Sequence, residues 1–393
     1  MWYLSQLGRR EHYALPSYLH EQGKLGLLAT DVWCGLAGSI PRGWLPSKLA
    51  QRYNPKLKDA RIVSQGILTA ALNARSKQSP GLRWVREGRQ FGAFAAKEFA
   101  KTTLGTGDVV LGYTAANLEQ LMLAKQRGAI GLHVQVDPGL EWYQTRLAEQ
   151  QAYPEVEDRA EMPDTAFFDR VQEEWSAAAH VIVHSEHSKR ALVKQGVASS
   201  RCVVAPPSFE PITGGRVRER KPGQPFRVLF VGNHCLAKGF HYYVQAAKTA
   251  PAGLEFHSAG RSMLKEAYHA DAANYVRMHG HLPQGSIFKL MAESDVLVFP
   301  TLSDGFGLVQ LEAMSLGLPV VSTPHCGDVV RDDIDGYKIE ARDVKLINER
   351  LERLMAEPQE HSSMSSQALL RSKAFSESAQ YQTLRSCAKR IRQ

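Results

Sequence analysis

A chain of 393 residues, 44% apolar and 22% charged, has room for two domains of ordinary size, each with its own core. Its five cysteines lie no closer than 33 residues apart (Cys202 to Cys235), which excludes a disulfide framework and a cysteine-rich zinc site and suits a reducing compartment. The net charge of +8 is uneven: residues 1–101 hold 16 Lys/Arg against 6 Asp/Glu, residues 102–208 hold 9 against 14, and the rest 23 against 20.

The chain begins without the basic and apolar regions of a signal peptide, and no apolar run approaches the length of a membrane span, so a cytoplasmic protein is expected. WYLSQL (2–7) and LGLLAT (25–30) read as strands. WLPSKLAQRYNPKLKDARIV (44–63) follows, with Lys48, Arg52, Lys56, Lys58 and Arg61 set among Trp44, Leu45, Leu49, Tyr53 and Leu57. The four-residue step of its leucines and tyrosine would give one apolar helical stripe flanked by cations, interrupted at Pro46 and Pro55. That surface suits an anionic membrane face and a lipid-linked acceptor, or is simply solvated. No nucleic-acid-binding signature accompanies it.

Further strands are DVVLGY (108–113), AIGLHVQV (129–136), HVIVHS (180–185) and CVVAP (202–206), then FRVLFVG (226–232), LEFHSAG (254–260), YVRMHG (275–280), DVLVFPT (295–301) and LPVVST (318–323). Helical stretches closed by glycine, such as ANLEQLMLAKQRG and SEHSKRALVKQG, lie between them. The alternation predicts right-handed βαβ units and parallel sheets. PITGGRVRERKPGQP (211–225) lacks apolar periodicity and reads as a linker. Two doubly wound domains of similar size, facing each other across a cleft, follow. Each would aim its strand-following loops at that cleft.

Two positions there bear on chemistry. After FRVLFVG comes NHCLAKG, whose Lys238-Gly239 opens a helix. Free backbone N–H groups, the positive end of a helix dipole and an ammonium together suit phosphate, although a lone lysine is also at home on any surface. In SDGFGLVQLEAMSLGLPVVST (303–323), a helix starting near Gly307 places Glu312 about 40° from Leu308 and Leu316, on the apolar face, at roughly 100° per residue. Gln310 is expected to point away. A carboxylate in that place must be paired inside the protein or meet a ligand donor such as a cis-diol.

SDGFGLVQLEAMSLGLPVVST, together with VGNHCLAKGF and HGHLPQGSIFKLMAESDVLVFPT, resembles the donor domain of the family-4 retaining glycosyltransferases (glycosyltransferase group 1), which have the GT-B fold of two Rossmann-like domains. The likeness is strong over residues 226–345, extends to AAHVIVHSEHSKRALVKQGVASSRCVVAPPS (178–208), and is loose over the first 110 residues. It implies an acceptor-binding domain at 1–208, a linker at 209–225, a donor-binding domain at 226–375 and a C-terminal helix at 376–393 that packs back on the first domain.

The family's two acidic residues, separated by seven others, fall on Asp304 and Glu312. The resemblance implies that Glu312 accepts from ribose hydroxyls. It implies that Asp304, with the backbone of Gly305, Phe306 and Gly307, holds the sugar hydroxyls, while the Leu308 N–H lies near the diphosphate. The family usually has Glu where Asp304 stands. In the phosphate loop after Gly232, Asn233 replaces the usual arginine and Lys238 keeps its place, with His234 as a further candidate donor. Gly280, His281 and Leu282 would lie along the nucleotide base, and Gly8 would open the loop that meets the diphosphate. In GLHVQVDPG either His133 or Asp137 would face the sugar, and Asp137 is favoured.

The implied activity is retaining, metal-independent transfer of a hexose-type sugar from a UDP- or GDP-type donor to a glycan or lipid-linked acceptor, in cell-surface polysaccharide or glycoconjugate synthesis. Front-face attack would let the departing phosphate take the acceptor proton. No cofactor is expected. Asp333-Ile334-Asp335 has a metal-binding form but precedes Gly336 in a turn context. A sugar phosphorylase or nucleotide-sugar epimerase on the same architecture, or a non-catalytic nucleotide-sugar binder, are the alternatives. The absence of an early G-x-G-x-x-G speaks against a dehydrogenase.

Overall fold

In the computed structural model, which describes residues 1–35, 46, 49, 51–66, 79–158, 162–218 and 223–390, the apolar runs form two separate all-parallel sheets. The first contains β1 (Trp2–Gln6), β2 (Leu25–Thr30), β3 (Ile62–Ser64), β4 (Val109–Tyr113), β5 (Ile130–Gln135), β6 (His180–Val183) and β7 (Cys202–Val204), in the order β3-β2-β1-β4-β5-β6-β7. The second contains β8 (Phe226–Val231), β9 (Leu254–Ala259), β10 (Val276–Met278), β11 (Val296–Phe299), β12 (Val320–Ser322) and β13 (Gly336–Lys338), in the order β10-β9-β8-β11-β12-β13. Helices cover both faces of each sheet, so the central strands are buried throughout, which is why they read as largely apolar runs and not as alternations.

The sequence reading had neither β3 nor the long helix Pro80–Ala100. That helix buries Gly88 and Gly92 among Val85, Phe91, Ala95 and Phe99, and the glycines dilute its apolar stripe. Of the basic segment at 44–63, Trp44, Leu45 and Lys48 lie outside the described residues. Its other end is not the expected stripe. Asn54 caps a short 3₁₀ turn at Pro55–Leu57, Leu57 is fully buried in the first core, and Tyr53 packs on Trp33 at 5.7 Å. Pro55 and the Asn54 cap restart the chain there, so these apolar side chains turn inward.

The last helix, Glu377–Arg390, places Tyr381, Leu384, Cys387 and Ala388 in the first domain's core beside Trp2, Tyr13 and Leu19. A second tie runs the other way. From the first domain, the helix Leu140–Ala152 and the residues after it reach onto the second. Buried Glu149 accepts from His241 Nε2 (3.2 Å), Tyr242 Oη (2.9 Å) and Arg342 Nε (2.6 Å). Burial opposes this carboxylate, but those donors outweigh it and hold its pKa below the usual range. Glu157, held by Arg146 Nε at 2.6 Å, accepts from the Leu236 N–H at 3.1 Å.

Candidate active site

Strand order reverses between β1 and β4 in one sheet and between β8 and β11 in the other. Chains leave such neighbouring strands in opposite directions, opening a crevice at their carboxyl ends. The two crevices meet in one cavity of about 370 Å³. The first domain lines it with Arg10, Glu11, Tyr113, Val136 and His184, and the second with Gly232, Lys238, Asp304, Gly307 and Leu308.

The loop after β8 is shaped by close backbone approaches. A Cβ on Gly260 would stand 1.7 Å from the Gly232 carbonyl oxygen, and the Gly260 N–H donates to Gly280 O at 2.9 Å, so the strand ends converge on glycines. Gly280 and His281 lie exposed beyond them, with Leu282 half-buried. Asn233 is exposed. His234 is 1% exposed, stacks on Phe240 at 4.2 Å with planes 16° apart, and finds no hydrogen-bond partner for either ring nitrogen among the described residues. Burial lowers its pKa to about 4. The sequence offered it to the phosphate; the structure turns it into the packing beneath the loop.

Lys238 and Asp304, on separate strand-end loops, form an ion pair in the cavity wall. Burial opposes the Lys238 ammonium, but the adjacent carboxylate outweighs it and raises the pKa above the usual lysine value. Asp304 also accepts from the Phe306 N–H at 3.3 Å, and its own N–H donates to His325 O at 2.9 Å. Gly305 is pressed against the first domain, where a Cβ would stand 1.9 Å from Val136 O. The Asp304 turn is therefore held from both domains.

Helix Val309–Ser315 then carries Glu312 into an adjoining cavity of about 440 Å³, which shares Glu11 and Leu308 with the first. Among the described residues the half-buried Glu312 carboxylate accepts no hydrogen bond and makes no ion pair. Burial alone raises its pKa. Gln310, expected to face outward, is fully buried and donates to Phe306 O at 3.0 Å. The helix is short and covered on every side but the one that carries Glu312, so Gln310 is enclosed as well.

On the first-domain side, the Gly8 N–H is already taken by Asp31 Oδ1 at 3.1 Å, and Arg52 holds the same oxygen at 2.9 Å. The residues that reach the cavity come two positions later, through a backbone that is left-handed at Glu11, His12 and Tyr13 (φ 47°, 52° and 66°). Three such residues in a row cost roughly 1–2 kcal/mol each, a strain found where a loop must present particular groups. The Glu11 carboxylate is fixed by Gln380 Nε2 at 3.2 Å and Ser208 Oγ at 3.4 Å. His184 is held by Ala205 O at 3.0 Å from its Nδ1.

His133 is fully buried inside β5, between Asn117 Oδ1 (3.0 Å) and Gln135 Oε1 (3.1 Å). Asp137 stands at the strand's mouth, where Oδ1 accepts from Gln135 Nε2 (2.7 Å) and the Gly139 N–H (2.9 Å). Burial raises its pKa against those two donors and Arg10. It opens onto a separate cavity of about 430 Å³ walled by Tyr143, Phe168, Trp175, Gln172 and Lys194.

Sequence reasoning missed Arg10, Glu11, Tyr113 and His184. The Arg9-Arg10-Glu11 cluster directly after the first strand and its glycine was the available signal. In Asp333-Ile334-Asp335, both oxygens of buried Asp335 are engaged by Arg331, at 2.7 Å from N and 2.6 Å from Nε. Among the described residues no group of three His, Cys, Asp or Glu is placed to hold a metal, and no helix is long and apolar enough to cross a membrane.

Residues 225–357 match the family model described as glycosyl transferases group 1. The chain is 31% identical over 121 residues to the uncharacterised glycosyltransferase MJ1607 of Methanocaldococcus jannaschii, covering 28% of this chain and 30% of that one. It is 28% identical over 130 residues to the amylovoran biosynthesis glycosyltransferase AmsK of Erwinia amylovora, covering 29% and 32%. The aligned part thus spans about a third of the length of these curated relatives. Whole-chain likeness is structural. Anabaena Alr3699/HepE in complex with UDP superposes with a TM-score of 0.63 at 13% identity, over 98% of this chain and 99% of that one. Sucrose-phosphate synthase from Thermosynechococcus elongatus gives 0.68 at 17%, over 99% and 98%. At such identities the likeness establishes the architecture, which is GT-B.

Proposed function

From a GT-B fold whose second domain is of the group 1 glycosyl transferase kind, we propose that this protein transfers a hexose-type sugar from a UDP- or GDP-sugar to a glycan or lipid-linked acceptor, with retention and without a metal. The observation that carries the reading is Glu312: a half-buried carboxylate with no partner among the described residues, in a cavity contiguous with the Lys238–Asp304 pair. A ribose cis-diol would supply the missing donors. The diphosphate would then lie toward Lys238, and the sugar toward Asp304 and the backbone of Gly305–Gly307. The UDP bound to HepE and the amylovoran biosynthesis role of AmsK support the donor and acceptor classes.

Breaking the bond between the anomeric carbon and the diphosphate oxygen leaves negative charge on phosphate, which Lys238 stabilises. The acceptor oxygen forms its bond to the anomeric carbon on the same face and passes its proton to the departing phosphate. No protein nucleophile is needed. The aromatic-walled cavity beside Asp137 suits an acceptor glycan, whose apolar ring faces pack on aromatic side chains while its hydroxyls meet polar groups.

The test is a panel of UDP-, GDP- and ADP-sugars offered with and without glycan acceptors. Transfer or slow donor hydrolysis with one of them supports the reading. Tight nucleotide binding without either reaction would make the protein a nucleotide-sugar binder, and no binding at all would remove the donor site.

A further inference from the structure

Of the two cations that line the central cavity, Lys238 already has its charge matched by Asp304. The other, Arg10, makes no hydrogen bond or ion pair with any described residue. Its guanidinium lies 5.7 Å from the centroid of the buried Tyr113 ring, a contact that orients the side chain and leaves its N–H donors unused. The left-handed turn just after it sets the loop's course, and Glu11 is tied back to Gln380 and Ser208 in place of pairing with Arg10. Across the cavity, the phosphate loop presents exposed Asn233 where the family resemblance calls for an arginine.

A donor's diphosphate brings about two negative charges to a cleft whose second-domain cation is shared with a carboxylate. The other positive charge comes from the opposite domain, on the exposed Arg10 side chain, whose field also favours the Asp137 carboxylate without pairing to it. We propose that Arg10 is the second cation of the diphosphate site, supplied by the first domain in place of the one absent at position 233. A guanidinium suits this place because its planar fork can hold two phosphate oxygens at once. Because Arg10 and Lys238 belong to different domains, the bound diphosphate would also bridge the two halves of the protein.

This assignment rests on the donor reading above, and calorimetric titration with UDP, GDP and ADP separates the two. Wild-type protein should bind one of them. Arg10→Gln should weaken that binding about tenfold or more, the scale of a charge-assisted contact, without altering binding of the corresponding nucleoside. Arg10→Gln/Asn233→Arg should recover most of the loss. If wild type binds and Arg10→Gln binds within twofold of it, the assignment of Arg10 is overturned while the donor site stands. If wild type binds none of the three, the donor reading itself falls. Should Arg10→Gln fail to fold, Arg10→Met decides: it keeps an extended side chain over Tyr113 and loses the charge, so a loss of about tenfold or more supports the assignment and an affinity within twofold of wild type refutes it.

Discussion

Replacing Glu312 by Gln changes one oxygen for an amide nitrogen and removes the charge, at nearly constant volume. In the free protein the carboxylate has no donor among the described residues, and burial raises its pKa above the usual glutamate value. An acid whose folded pKa is raised binds more protons folded than unfolded, so it takes stability away as pH climbs through the ordinary carboxylate range toward the raised value. At neutral pH the ionised side chain is therefore a cost, and Glu312→Gln should raise the melting temperature of the ligand-free protein. Binding should move the opposite way. A hydrogen bond to a charged acceptor contributes about 1.5–3 kcal/mol and a neutral one about 0.5–1.5 kcal/mol. With two ribose hydroxyls and a half-exposed site, the loss is about 1–2 kcal/mol, or about 5- to 30-fold in nucleotide affinity. Calorimetry and thermal melts on the same two proteins measure both quantities. A fall in melting temperature with unchanged nucleotide affinity would refute the reasoning, since it would make Glu312 part of the protein's internal framework.

Lys238→Ala should lower turnover by about 10²–10³, the scale of one preorganised electrostatic contact to a leaving group, and activity should persist in a chelator. His234→Leu should leave turnover unchanged and make stability less sensitive to acid. Burial lowers the wild-type imidazole from 6.5 to about 4, so this group takes away about 3 kcal/mol as pH falls from 6.5 to 4, and melts across that range should show the acid loss shrink by that amount in the variant, the remainder coming from other buried histidines such as His133 and His187. His133→Ala should act on stability, at about 2–4 kcal/mol in denaturant titrations, by opening a cavity and stranding Asn117 and Gln135. A turnover defect at full stability would instead place His133 in the chemistry.

Local signals identified much of the framework because they are local in cause. The sequence places β2 at its observed ends, and β4, β5, β8 and β9 within one residue, since a strand buried over most of its length is a largely apolar run between glycines and polar turns. The helix Pro80–Ala100 escaped because its buried face is built partly from Gly88 and Gly92, which carry no hydrophobic signature. Gln310 was misplaced for a related reason. Angular position on a helix says which side a residue takes, and nothing about how many sides are covered.

The sequence by itself determined two parallel α/β domains, the loop after β8 that carries Lys238, and the turn that carries Asp304 and leads to Glu312, because strand burial, glycine turns and helix starts are set by neighbouring residues. Which of those side chains meet was decided by the tertiary structure. Lys238 and Asp304 stand 66 residues apart in the chain, Glu149 and Arg342 193 apart, and Glu11 and Gln380 369 apart. The cavity that joins Arg10 to Lys238 exists only where two strand-order reversals face each other. Such contacts depend on how sheets and domains pack, and packing is a property of the whole chain, with no trace in any short stretch of it.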